Sequence, residues 1–280
     1  YLHSVRIGVD ETGVPLAWHH TLVGQAIYAG TPFESMMVKN GVDATSIEGL
    51  ADSPYLAAIA HRLVDLHSPR IGIPVLWWRS VGHSHNAFVV ESVIDELAHT
   101  GGKDPVEYRR MLLATHPRHL GVLNLAAEKA SWGTTLPKGR ARGVAVHESF
   151  GSFVAQIAEV SIENGTIRAH RVVCAVDCGI AVNPETIRAQ MESGIAFGLG
   201  AALHSALTFK GGRVQESNFH DYRVLRIHEM PHVEVHIVQS AEKLGGIGEV
   251  GTPPIAPAVA NAVFALTGRR LRELPLRLPA

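Results

Sequence analysis

The spacing of apolar and polar positions changes period several times along this chain, and the changes mark out its elements. Two strand-like runs, VRIGV and PLAWHHTLV, flank Asp10-Glu11-Thr12-Gly13 and predict a β-hairpin. The alternation then fades through TPFESMMVKNGVDATSIEG, a connection long enough within a compact domain to serve binding or an interface. SPYLAAIA predicts a short helix and HRLVDL a strand. IGIPVLWWRS predicts another strand, with Trp77 and Trp78 on opposite faces and Arg79 where it gives way to a loop. From Asn86 the spacing becomes helical, with Ala87, Val90, Ile94 and Leu97 on one side, until Gly101 and Gly102 stop it. Asp104 as cap, Pro105 in the first turn and Glu107 three residues beyond the cap predict a second helix, and HLGVLNLAAEKA predicts a third, ending near Trp132.

Between residues 136 and 143 the chain passes from helices to strands. RGVAVHESF and FVAQIAEVSIE read as strands, and Asn164-Gly165 predicts a hairpin into TIRAHRVVCAVDCG. Asn183-Pro184-Glu185 opens a long helix carrying Gly194, Gly198 and Gly200, each costing about 1 kcal/mol relative to alanine. Close approach by another backbone or a large ligand would offset that cost, and Gln190 near the helix start offers an amide for hydrogen bonding. Gly211-Gly212 predicts a further hairpin, and residues 233–238 a core strand. The stretch KLGGIGEVGTPPIAPAVANAVFALTG then frames Glu249 with Gly245, Gly246, Gly248 and Gly251, followed by Pro253-Pro254 and an Ala/Val-rich helix. A rigid carboxylate at a helix entrance suits a catalytic base. The same residues also describe an ordinary tight turn that contains a glutamate. These elements by themselves support a mixed α/β-type protein with a large buried ligand.

At 280 residues, 46% hydrophobic and with net charge -1, the chain can bury a substantial core of one or two domains. Near neutrality argues against a nucleic-acid binder that relies on bulk positive charge. Arg269, Arg270, Arg272 and Arg277 form the main basic cluster, expected to be a solvated or partner-facing tail. Cys174 and Cys178 are the only cysteines; on a strand they would stand about 13 Å apart, too far to bridge, so free buried thiols are expected. With no CxxC pattern and scattered histidines, no metal ligands are expected from the chain itself; His83 and His85, placed on one strand face, lack a third ligand nearby. No nucleophile elbow of the GxSxG type appears, Cys178 lacks a compelling histidine partner, and Glu148 with Glu249 leaves a carboxylate pair open. No apolar span is long enough to cross a membrane, so a soluble protein is expected, with cytoplasmic and periplasmic locations both open. The start at Tyr1, already in strand-like sequence, is expected of a processed or truncated product.

PVLWWRSVGHSHNAFVVESVIDELA, KDPVEYRR, RGVAVHESFGSFVAQIAEVSI, VVCAVDCGIAVNPETIRAQMESGIAFGLGAAL and GGIGEVGTPPIAPAVANAVFALTG, in that order, carry a resemblance that spans essentially the whole chain. The chain resembles the C-terminal portion of the molybdenum-binding large subunit of the xanthine oxidase family, in the branch of the isoquinoline 1-oxidoreductase beta subunit and bacterial aldehyde dehydrogenases. The resemblance implies an α+β molybdopterin-binding fold of mixed sheets with packed helices, with residues 1–135 and 136–280 as portions of two cofactor-binding subdomains. It implies hydroxylation of an aldehyde or N-heterocyclic carbon with oxygen from water, and Glu249 as the general base beside the metal. The implied cofactor is molybdopterin cytosine dinucleotide with molybdenum, held by its dithiolene and not by protein ligands. Implied contacts to it are Arg79, Ser80, Val81, Gly82, Gln190, Gly248, Gly251 and Thr252. Arg-Ser-Val-Gly at 79–82 departs from the commoner RGxG-like pattern.

The family's large subunit is far longer, so the resemblance implies a partner for this chain: the N-terminal half of the large subunit, or a separate chain supplying it. No plant-type cysteine pattern occurs here, so [2Fe-2S] clusters are expected on a partner subunit, with a FAD or cytochrome subunit beyond it. The alternative is a non-catalytic fragment that keeps the fold as an assembly or interaction module.

Overall fold

The structure is a computed structural model and describes residues 1–278. It divides into two compact units, Tyr1–Leu120 and the remainder from Gly121 onward. Among the described residues no helix is long and apolar enough to cross a membrane.

In the first unit, β1 (Leu2–Val9) and β2 (Pro15–Val23) form the expected antiparallel hairpin, and β3 (His61–His67) adds to β2 in parallel. The Asp10 carboxylate closes the turn by accepting from the backbone N–H of Thr12 at 2.8 Å and of Val14 at 2.9 Å. On β2 the alternate residues Trp18, His20 and Leu22 are fully buried, the period-two signature of a half-buried strand. The long connection forms only short pieces: a helical turn at Glu34–Met37, a two-residue ladder, and a 3-10 turn at Ala44–Ser46.

The segment holding Trp77 and Trp78 is not a strand. Residues 68–80 run irregularly after β3, and the two indoles are 55% and 41% exposed. Pro69 and Pro74 lack the N–H groups a ladder needs. The helix expected from Asn86 starts earlier: α1 spans Val81–Thr100, which places His83 and His85 on helical turns and not on a strand face. Its first turn is polar, so apolar periodicity reveals only the later ones.

The helix α2 (Pro105–Leu112) is capped by Asp104, whose side chain accepts from Val106 N and Glu107 N. It carries Arg109, fully buried, onto α1. The guanidinium donates from Nε to Glu91 Oε2 at 2.8 Å and from Nη2 to the Glu91 carbonyl at 2.9 Å, and Asp95 stands 3.7 Å away. A buried ion pair of this kind contributes little net stability against an apolar replacement, but losing one partner strands the other charge. The helix α3 (Pro117–Lys129) follows.

In the second unit, β4 (Arg140–Ser149), β5 (Ser152–Glu163) and β6 (Thr166–Asp177) form an antiparallel meander, with Asn164-Gly165 at its second turn as expected. The helix α4 (Pro184–Leu203) begins with Asn183 Oδ1 accepting from Thr186 N at 3.1 Å. Phe209–Lys210 and Arg213–Val214 make the small hairpin around Gly211-Gly212. β7 (His232–Ile237) pairs in parallel with β6 and is an edge strand of intermediate burial, not the core strand its apolar residues predict. Among the described residues its outer side has no ladder partner, and none of its six residues is fully buried.

The helix α5 (Ile255–Thr267) lies on β4 and β5, buried from Ile255 through Val263. Gly143 makes this approach possible: a Cβ there would overlap the Ala258 carbonyl and the Ala262 N–H. Asn261 Nδ2 donates to the Val144 carbonyl at 3.1 Å. Both cysteines are buried and neither is in a disulfide, and burial pushes the Cys174 thiol up to about 12. Arg270 departs from the solvated-tail expectation, since its guanidinium lies 3.4 Å from the centroid of the Phe264 ring.

Two outcomes follow from this burial. Arg109→Met should destabilise the first unit by about 3–5 kcal/mol, because the buried Glu91 carboxylate loses its guanidinium partner; urea titration of the variant against wild type measures it. The second outcome concerns three imidazoles. His3 Nδ1 and His20 Nε2 are 2.8 Å apart, and His3 Nε2 and His85 Nδ1 are 3.1 Å apart. Burial lowers His3 from 6.5 to about 3 and His20 from 6.5 to about 4. Their neutral forms are the folded ones, so their contribution is fully present above 6.5 and is lost as pH falls toward those lowered values. A denaturation midpoint that stays level from neutral pH to about pH 4 would contradict this.

Candidate functional site

Glu249 lies in the loop between β7 and α5, half-buried, in a turn closed by Thr252 N donating to the Glu249 carbonyl at 2.9 Å. The approach to this turn is fastened to the meander. Gly245 N donates to the Cys178 carbonyl at 3.0 Å, and Gly246 N to the Phe150 carbonyl at 2.7 Å. Ser152 Oγ donates to the Gly246 carbonyl at 2.6 Å. Beyond the glutamate, Gln156 Nε2 on β5 donates to the Gly251 carbonyl at 2.8 Å.

The tight β4–β5 turn that supplies two of these contacts holds Phe150 at φ 53° and Gly151 at φ 74°. Left-handed backbone at both central positions suits the right-handed twist of the strands, and for phenylalanine it is a strained state. Glu148 Oε1 accepts from Gly151 N at 3.0 Å. That gives Glu148 a local role in closing the turn.

α4 meets the loop from another side. A Cβ on Gly194 would stand 3.0 Å from the Gly251 Cα and carbonyl carbon, and one on Gly198 would stand 2.8 Å from the Thr252 carbonyl oxygen. The close approach inferred from these glycines is therefore to the backbone of the Glu249 turn. Gly200 is different: a Cβ there meets Leu225 at 3.6 Å, an ordinary contact. The glycines around Glu249 divide in the same way. Side chains on Gly245, Gly246 and Gly251 would press on Ser152, Phe150 and Met191, so protein fills that space. A Cβ on Gly248 has no heavy atom within 4 Å, so this position faces open space.

Gln190 sits half-buried in the second turn of α4, while Thr252 is 3% exposed and its Oγ1 has no internal partner. A buried hydroxyl lacking a partner is costly, and it suits a polar group brought by a ligand. The described residues contain no group of three or more His, Cys, Asp or Glu able to hold a metal ion. The buried Thr252 hydroxyl is a group that could meet a cofactor's organic part.

Arg79, Ser80, Val81 and Gly82 belong to the first unit, where they form the entry to α1. Ser80 at φ 74° and Val81 at φ 47° are consecutive left-handed residues, and for β-branched valine this is an outlier conformation. Val81 N donates to the Trp78 carbonyl at 2.8 Å, and Ser84 Oγ to the Val81 carbonyl at 2.6 Å. Gly82 is required, since a Cβ would overlap the Thr45 carbonyl. Val81 and Gly82 line a cavity of about 480 Å³ within this unit, together with Gln25, Trp78 and His85.

Two local patterns carry no site. His228-Glu-Met-Pro-His232 has HExxH spacing, but the 3-10 turn ends at Glu229 and His232 begins β7, so the histidines do not share a helix face. Gly246-Ile-Gly-Glu-Val-Gly251 has GxGxxG spacing. It does not follow directly on a strand, and Pro253-Pro254 separate it from α5.

A molybdopterin cofactor-binding domain model matches residues 98–231. The isoquinoline 1-oxidoreductase subunit beta of Brevundimonas diminuta is 36% identical over 219 residues, covering 76% of this chain and 28% of that protein. The chain belongs to the xanthine oxidase family of molybdenum-binding subunits. A protein of Gluconacetobacter polyoxogenes, named membrane-bound aldehyde dehydrogenase [pyrroloquinoline-quinone], is 32% identical, covering 72% of this chain and 29% of that one. Among solved structures, quinoline 2-oxidoreductase from Pseudomonas putida 86 shares the α+β fold at TM-score 0.70 and 13% identity, covering 92% of this chain and 58% of that one. This family member spans less than a third of the length of the two curated relatives.

Gln156, Ser152, Phe150 and Met191 hold the Glu249 turn, and none was among the residues singled out from sequence. One of them left a signal. Gln156 is a polar residue amid the apolar run of FVAQIAEV, at a position that proves fully buried.

The two kinds of helix glycine give contrasting expectations. Gly198→Ala should destabilise by about 1–3 kcal/mol through overpacking against Thr252 and Ile255. Gly200→Ala should be neutral, or stabilising by up to about 1 kcal/mol from helix propensity. Thermal unfolding of both variants tests the assignment, and equal effects would refute it.

Proposed function

We propose that this chain is part of a molybdenum hydroxylase that oxidises an aldehyde or an N-heterocyclic substrate, with water as the oxygen donor and Glu249 as general base. In this reading, residues 1–135 and 136–280 are portions of two cofactor-binding subdomains. The single observation that carries it is the clamping of the Glu249 turn between β5 and α4, in a family whose model is a molybdopterin cofactor-binding domain. A base must be within reach of the proton it takes and held in a productive geometry before reaction.

The cofactor is molybdopterin cytosine dinucleotide, and when bound it supplies the two-electron oxidation of the substrate carbon. Thr252 offers its buried hydroxyl, Gly248 leaves open space, and Gln190 and Gly251 line the approach on α4 and the turn. Arg79, Ser80, Val81 and Gly82 are the further proposed contacts, and Ser80 and Val81 stand on a strained backbone of the kind that clusters at ligand clamps. Glu249 in its carboxylate form takes a proton from the water that supplies the oxygen. Its backbone is pinned on both sides, so little reorganisation accompanies proton transfer.

Electrons leave through [2Fe-2S] clusters on a partner subunit, with a FAD or cytochrome subunit as the next acceptor. The rest of the large subunit, or a separate chain, completes the site. The names of the relatives, an isoquinoline oxidoreductase and an aldehyde dehydrogenase, support the two substrate classes. A second reading is a non-catalytic module that keeps the fold for assembly.

Glu249→Gln in the assembled enzyme separates the two readings. The expected result is wild-type molybdenum and nucleotide content with turnover reduced about 10²- to 10⁴-fold. Full turnover with the cofactor in place would exclude the base.

A further inference from the structure

We infer that Gln156 is a positioning residue for the proposed base: its side-chain amide holds the Gly251 carbonyl and so fixes where the Glu249 carboxylate stands. The inference rests on the reading of Glu249 as the base and concerns how this chain places it.

Gln156 is the middle of the buried run on β5, registered between Ala145 on β4 and Cys174 on β6, and is fully buried. An amide in the interior of a sheet is costly unless it is hydrogen-bonded. Here Nε2 makes one good bond, to the Gly251 carbonyl at 2.8 Å; its other contact, to Cys174 Sγ, is 4.0 Å long, and Oε1 has no partner. One bond set against a stranded oxygen is a poor source of stability. An apolar side chain of similar size would serve the core better, so the amide acts as a geometric constraint on the loop.

The orientation of the amide is determined, because the reversed amide would face Oε1 against the Gly251 oxygen. From Gly251 the constraint passes back through the turn, where Thr252 N donates to the Glu249 carbonyl at 2.9 Å. On α4, Gly194 approaches the Gly251 backbone so closely that even a methyl group would stand 3.0 Å from it, which limits movement in that direction. Gln156 pulls the turn toward the sheet while α4 blocks its displacement. Ser152 fastens the other end of the loop through Gly246. Without the Gln156 donor, the Gly251 carbonyl is left buried and unpaired, and the turn relaxes around it.

The test uses the complete molybdenum enzyme with its native partner subunits, as wild type, Q156M, Q156E, E249Q and the Q156M/E249Q double variant. Q156M keeps the volume and removes the donor. It should retain wild-type molybdenum and nucleotide content and melt within a few degrees of wild type, while kcat falls about 10- to 100-fold with KM little changed. Q156E should lose turnover at neutral pH and regain it as pH falls. Its carboxyl can donate to the Gly251 carbonyl only when protonated, and burial raises the pH at which it does so. Such an acid-side recovery relative to wild type is not produced by loss of stability. In the E249Q background, Q156M should cause no further loss.

Wild-type kcat in Q156M, alongside an inactive E249Q, overturns the role of Gln156 and leaves the base reading standing. Cofactor loss in Q156M in step with activity assigns the residue to the fold and overturns the inference as well. Full turnover in E249Q removes the base reading and this inference with it.

Discussion

Contact between two backbones, α4 against the turn at residues 249–252, is the constraint on which the second unit depends. It favours glycine at 194, where a Cβ would press on Gly251 at 3.0 Å, and more strongly at 198, where a Cβ would stand 2.8 Å from the Thr252 carbonyl oxygen. The helix accepts about 1 kcal/mol per glycine in propensity, and burial of Ile195, Leu199 and Ala202 beside them offsets that cost. The same contact leaves Glu249 half-buried on a turn with little freedom. Gln156 reaches the turn from β5, and Pro253-Pro254 direct the chain into α5, whose buried face lies on β4 and β5. Sheet, helix and loop are therefore interdependent, and a carboxylate on that loop is more narrowly placed than its glycine-rich sequence implies.

The first unit shows a different economy. Its interior is unusually polar, with Arg109, Glu91 and Asp95 joining α1 to α2, and His3, His20 and His85 joining the hairpin to the start of α1. Both networks anchor α1, and α1 begins on two consecutive left-handed residues, Ser80 and Val81. Strain of this kind persists only where the surroundings over-determine it. Gly82 pressed against the backbone at Thr45, and the ion pairs further along the helix, supply that over-determination. The family-implied contact segment at 79–82 and the best-anchored helix of the unit thus share one stretch of chain.

Local patterns misled where three-dimensional context was missing. Trp77-Trp78 carry strand-forming residues but lie in an irregular, proline-interrupted segment. Apolar residues at 233–238 read as core, yet β7 is an edge, because burial depends on which strands flank it. In each case the residue types were read correctly and their neighbours were unknown.

The sequence by itself determined the hairpins, the capped helices and the glycine-framed glutamate, because turns, caps and periodicity are set by contacts a few residues apart. Asp104, Asn183 and Asn164-Gly165 do in the structure what their local chemistry dictates. The helix glycines also announced a close approach before its partner was known. Only the tertiary structure decided that this partner is the Glu249 turn, and that the open side of the turn is at Gly248 and not along the whole loop. It alone joined Gln156 to Gly251 across 95 residues of chain. Contacts so distant in sequence leave no periodic trace, since they arise only when separate elements pack.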